Sequence, residues 1–142
     1  MGFEHDSYST GNITINSNVV NQVVDIRLRE GYAFAVEYIT GNAAGIFTWN
    51  LRNTTFDEYL FYSEMRNAGT VGVGTRPFYL SGAGCLLNYG SVHQVLISDR
   101  SVADQTLNRI VLHGRSFPAT PLGDAIDPQD AFDWGHRHVS YS

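Results

Sequence analysis

Near the C-terminus, Asp130, Asp133, His136 and His138 place hard oxygen and imidazole donors within nine residues. His136 and His138, two positions apart, project to one side of an extended segment, as a two-histidine metal site requires. No second cluster completes a coordination sphere, and terminal His and Asp are commonly just solvated. The expectation is therefore no bound metal and no cofactor. The other histidines, His5, His93 and His113, show no ligand spacing. His93 and His113 fall in strand-like patterns and read as ordinary sheet residues.

Hydrolytic chemistry has its ingredients but no arrangement. A Gly-x-Ser-x-Gly elbow is absent, because Leu80-Ser81-Gly82 lacks the leading glycine. Asp57, Glu58 and Glu64 offer carboxylates, but their spacing along the chain does not give the separation a glycosidase needs. The run Gly69-Thr70-Val71-Gly72-Val73-Gly74-Thr75 has no lysine and opens no helix, so it is neither a P-loop nor a dinucleotide fingerprint. It reads as a strand edge or loop with close backbone approach. The single cysteine, Cys85, sits among apolar neighbours and reads as a buried structural thiol. No catalytic residues are assigned, and the chain is expected not to be an enzyme.

Binding chemistry is better supplied. Aromatic residues make up 13% of the chain, and Tyr8, Tyr32, Trp49, Tyr62, Tyr79, Tyr89 and Trp134 are candidate stacking platforms for a carbohydrate. Tyr and Trp also fill cores and interfaces, which is the plainer use of the same residues. The sequons at Asn12 and Asn53 matter only in a eukaryotic secretory protein. Met1 to Thr10 has neither a basic n-region nor an apolar h-region, so no signal peptide is expected.

All nine basic residues are arginine, and charged residues are only 16% of the 142 positions. Lysine is depleted at protein–protein interfaces and arginine enriched, so this composition suits a surface made for contact. Arginine-rich codon usage explains it poorly, because asparagine, whose codons are equally A-rich, occurs ten times. The net charge of −5 and the lack of any basic run argue against nucleic acid as a partner. Apolar runs fall far short of the ~20 residues of a membrane helix, so no membrane partner is expected.

These side chains are carried on β-structure. Val24, Ile26 and Leu28 alternate with Asp25, Arg27 and Arg29, the pattern of a half-buried strand. From Tyr32 to Thr40 alternation predicts Tyr32, Phe34, Val36 and Tyr38 on one face and Ala33, Ala35, Glu37 and Ile39 on the other. Further strands are predicted at Asn12–Ile15, Ile46–Leu51, Phe56–Tyr62, Phe78–Leu80, Leu86–Tyr89, Val92–Asp99 and Leu107–His113. Phe56–Tyr62 also fits helical spacing. A short helical turn is predicted over Asp99–Gln105, with Ser101 as N-cap and Asp104 three residues on. No amphipathic helices alternate with the strands, which excludes a parallel α/β sheet. The expected fold is an all-β antiparallel sandwich of jelly-roll type over residues 1–115.

Residues 116–142 differ in kind, with three of the four prolines and Asp124, Asp127, Asp130 and Asp133. Phe117, Leu122, Ile126, Phe132 and Trp134 make this segment too apolar for a solvated tail. It is expected to be an extended arm packing on its own sandwich or on a neighbouring subunit, with those five residues at the interface. The polar start Ser7-Tyr8-Ser9-Thr10-Gly11-Asn12, the dense short strands and the apolar arm from Phe117 to Trp134 together resemble capsid decoration (cement) proteins of tailed bacteriophages. The resemblance implies a non-enzymatic virion protein, made in the host cytoplasm, that sits as a homotrimer on the major capsid protein lattice. A carbohydrate-binding domain or a tail receptor-binding component is the alternative. A metal-dependent cupin-like barrel is a third, disfavoured by the histidine spacing.

Overall fold

The computed structural model describes residues 4–29, 31–42, 45–54, 58–61, 64–73, 76–80, 86–87 and 92–118. In chain order the elements are β1 (Glu4–Ser9), β2 (Ile13–Ile15), β3 (Gln22–Arg27), β4 (Tyr32–Asn42), β5 (Phe47–Asn53) and β6 (Glu58–Tyr59). They continue with β7 (Met65–Arg66), α1 (Asn67–Thr70), β8 (Phe78–Tyr79), β9 (Leu86–Leu87), β10 (Val92–Asp99) and β11 (Gln105–Pro118).

Two antiparallel sheets form. In the first, β11 lies between β4 and β1, with β2 also on β11 and with β8 and β9 on the far side of β4. In the second, β10 lies between β3 and β5, and β5 also pairs with β6 and β7. The chain crosses between the sheets repeatedly, and the terminal strands β1 and β11 end side by side. This nested order, β1-β11-β4-β8 against β3-β10-β5-β6, is the jelly roll. The protein is an all-β sandwich, as its alternation pattern predicts.

Between the sheets, Phe34, Val36, Ile39, Ile110 and Leu112 of the first meet Ile26, Phe47, Trp49, Leu51, Val95 and Ile97 of the second, all buried. Trp49 is completely enclosed; its indole N–H donates to Thr70 Oγ1 at 2.8 Å, and its ring meets Phe61 edge-on at 5.3 Å. The hydrogen bond satisfies the one polar atom that this burial would otherwise orphan.

Four sequence expectations need correction. The predicted faces of β4 hold only as far as Val36. Register runs His113 to Tyr38 but Gly114 to Val36, so Glu37 is an inserted residue and the alternation slips by one. Ile39 therefore faces the core, and Tyr38 faces outward with Glu37. Second, residues 100–103 between β10 and β11 form bends, not a helical turn. The Asp99 carboxylate takes the Ser101 N–H and hydroxyl, both at 2.9 Å, and Val102 at φ +61° is left-handed, which a right-handed turn cannot contain. Third, Glu4–Ser9, before the first expected strand at Asn12, forms β1 on the edge of the first sheet. Fourth, β11 carries the sandwich through Pro118, so Ser116, Phe117 and Pro118 belong to the domain and not to an arm.

Candidate functional site

The outer face of the first sheet carries one row of side chains spanning four strands. Ser7, His113, Tyr38 and Tyr79 are successive cross-strand partners on β1, β11, β4 and β8. The His113 and Tyr38 rings stack with centroids 4.6 Å apart and planes 6° from parallel, and Tyr79 follows at 5.5 Å, tilted by 41°. Ser7 Oγ lies 2.8 Å from His113 Nδ1, and Thr40 Oγ1 lies 2.6 Å from Nε2. One step along the face, the Arg115 guanidinium donates to Glu37 at 3.1 Å. The bulge at Gly114 builds this row, since it turns both Glu37 and Tyr38 to the same side. A Cβ at Gly114 would run into the Ala35 carbonyl, so the close crossing there requires glycine.

Ser7, His113 and Thr40 have the connectivity of nucleophile, base and orienting group, but not the charge. In a Ser-His-Asp triad the imidazole is held and stabilised as imidazolium by a carboxylate, whereas Thr40 is a neutral hydroxyl. Burial holds the His113 pKa below the ordinary histidine value, so the neutral ring is the favoured form. A neutral imidazole donates from one nitrogen and accepts at the other, which two rotatable hydroxyls satisfy. The row braces the first sheet and lacks the charged orienting group of a Ser-His-Asp triad. As a sugar platform it is also limited, because stacked rings spend their faces on each other. Only Tyr79, 66% exposed, keeps a large area of ring open to solvent.

A second polar centre ties the loops at one end of the sandwich. The Asp99 carboxylate accepts from the Asn18 N–H at 2.8 Å, from Ser101, and from the Gln105 amide at 2.6 Å. These donors lower its pKa to about 2, led by the backbone N–H groups of Ser101 and Asn18. Gln105 also bonds both the N–H and the carbonyl of Ile46, and Asp104 accepts from the Ser17 N–H at 2.7 Å. Three loops are thus fixed together, and from them Val20, Ile46 and Val102 project into solvent at 74%, 53% and 71% exposure. A β-branched residue in the left-handed region is strained, and Val102 gains no burial in return.

Acid should weaken the fold in two stages. His113 has a folded pKa lowered by burial, so its contribution is complete above the ordinary histidine pKa of ~6.5 and is lost as pH falls through the lower folded value. Asp99 contributes fully above the unfolded carboxylate pKa of ~3.9 and loses that contribution as pH falls towards about 2. Thermal melts from pH 7 downward should show a falling midpoint, with Asp99→Asn flattening the limb below pH ~4 and His113→Gln the limb below ~6.5. Unchanged slopes in both variants would contradict these assignments.

The residues singled out from sequence scatter. Trp49 is in the core, Tyr8 packs edge-on against Phe34 at 4.8 Å, and Tyr32 lies 3.6 Å beneath the Arg29 guanidinium, so none of the three is a free platform. Glu64 is engaged by Thr48, Ser98 and Arg100. Gly72 makes the close backbone approach predicted for its segment, since a Cβ there would meet the Arg76 carbonyl. Phe117 is 2% exposed within the single chain, which removes it from a surface that meets a neighbour. Leu122, Ile126, Phe132 and Trp134, the metal candidates Asp130, Asp133, His136 and His138, Cys85, Tyr62 and Tyr89 lie outside the described residues. Among the described residues no group of three His, Cys, Asp or Glu side chains is placed to hold a metal ion, and no helix is long and apolar enough to cross a membrane.

The Ser7–His113–Thr40 row escaped the sequence because its members are up to 106 positions apart and meet only through strand pairing. Asp99 carried a weak signal in the Asp-x-Ser spacing of its turn, which resembles a helix start. Comparison with protein-family models gives no match, and neither does comparison with curated proteins.

Proposed function

We propose that this chain is a non-enzymatic structural protein that works by contact, joining copies of itself and seating on a repeating protein surface as a phage capsid decoration protein does. The observation that carries this reading is the fixed loop end, where Val20, Ile46 and Val102 are held in solvent by the Asp99 and Gln105 hydrogen bonds. Ordering apolar side chains before a partner arrives lowers the cost of binding, and strain kept at Val102 serves no folding purpose. Four exposed arginines, Arg27, Arg66, Arg76 and Arg109, form no salt bridge among the described residues and remain available to a partner. On a lattice, many modest contacts of this kind add up to firm retention.

The trimer implied by the resemblance places its contacts in the arm. Because β11 is complete at Pro118, removing residues 119–142 leaves every described strand intact. The shortened chain should keep its fold by circular dichroism and lose mass in solution relative to the full chain. An unchanged oligomer would remove the arm from the account.

Glycan binding keeps one specific observation, the open ring of Tyr79. A glycan array with saturable binding that Tyr79→Ala abolishes would replace the assembly reading. The expected result is no saturable signal.

A further inference from the structure

The two longest edge strands, β1 in the first sheet and β3 in the second, have outward backbone groups with no ladder partner among the described residues, and they differ in charge. On β1, Glu4 and Asp6 share a face and both already lie against Arg29, at 2.9 and 3.7 Å. Antiparallel pairing of β1 with itself about His5 or Asp6 sets acid against acid, which disfavours those registers. β3 is different. It has no proline, no bulge and no lysine, its outer face shows Val23 at 49% exposure, and Asp25 and Arg27 stand beside it, both exposed. The side chains of Asp25 and Arg27 make no hydrogen bond or ion pair among the described residues.

We infer that the edge of β3 is a two-fold contact between copies of this chain, joining two five-stranded sheets into one. The register follows from the charges. A two-fold axis through Ile26 sets Asp25 of each copy against Arg27 of the other, twice, while Val24 meets Leu28 on the inner side. Moving the axis to Asp25 sets carboxylate against carboxylate, and moving it to Arg27 sets guanidinium against guanidinium. A slip of one residue turns the buried side of the strand to solvent. Only the axis at Ile26 matches charge and face together, and an isologous contact requires such self-complementarity. Ladder hydrogen bonds supply attraction, and the two charge pairs select the register.

This contact deepens the assembly reading and rests on it only in requiring that the chain meet copies of itself. A two-fold contact gives an even number of copies, and its combination with a three-fold arm contact in dihedral symmetry gives six. The test is sedimentation equilibrium of the full chain as wild type, Asp25→Arg, Arg27→Asp and the double reversal. Each single reversal should weaken self-association about tenfold, and the double reversal should restore it, because opposite charges again face each other. If the single variants associate like wild type, β3 pairing is overturned while assembly through another surface stands. A double variant as weak as the singles also overturns it. A wild type that stays monomeric at every concentration overturns both.

Discussion

Trp49→Ala is expected to cost about 3–5 kcal/mol of folding free energy, the largest effect of any single truncation here. The side chain is fully enclosed between the sheets, and its removal opens a cavity whose walls are β-strands fixed by their ladders. It also leaves Thr70 Oγ1 without the indole donor, although the Thr70 hydroxyl still donates to the Arg66 carbonyl at 2.7 Å. Trp49→Phe keeps most of the volume and removes that donor, so it should cost less, about 1–3 kcal/mol. Set against a total of roughly 5–15 kcal/mol for a domain, the alanine variant should be close to unfolding. Urea denaturation of both variants measures the difference. A loss below ~1 kcal/mol for Trp49→Ala would place this residue outside the core.

Gly114→Val should be comparably severe, at or above the ~1–3 kcal/mol usual for overpacking. The contact it forces is with the carbonyl and carbonyl carbon of Ala35 and the Cα of Val36, which are backbone atoms that cannot turn away. Relief requires β4 and β11 to part at the point where their register shifts. The stack of His113 on Tyr38 and the hydroxyl contacts of Ser7 and Thr40 depend on that register. Near-ultraviolet circular dichroism should therefore change along with stability. Gly69, where an added Cβ meets nothing within 4 Å, is the control, and Gly69→Ala should be close to neutral.

Alternation made most of the sandwich legible. β10 occupies the very span its pattern predicts, and β3 shows Ile26 buried between exposed Asp25 and Arg27. Both depend only on local burial on one side of a strand. What sequence could not show was set by pairing. The inserted Glu37 is defined by which residue of β11 faces it, and that reversed the faces of Tyr38 and Ile39. Phe117 looked like part of an arm because a proline follows it, yet Pro118 is tolerated as the last residue of its strand. Ser101 and Asp104 have the spacing of a helix cap, but the Asp99 carboxylate captures the Ser101 N–H first.

The functional reading had the same boundary. A lysine-free composition pointed to contact, and the exposed Arg27, Arg66, Arg76 and Arg109, which form no salt bridge among the described residues, are where that composition reaches the surface. Which contacts form was not legible, because the charge match on β3 has meaning only once β3 is known to be an edge.

Sedimentation equilibrium of the full 15.8 kDa chain across a wide concentration range measures whether copies of the chain join. Reversible association into multiples of the monomer mass, strengthening with concentration, is the predicted result. A single monomeric species throughout would contradict a protein that works by joining copies of itself.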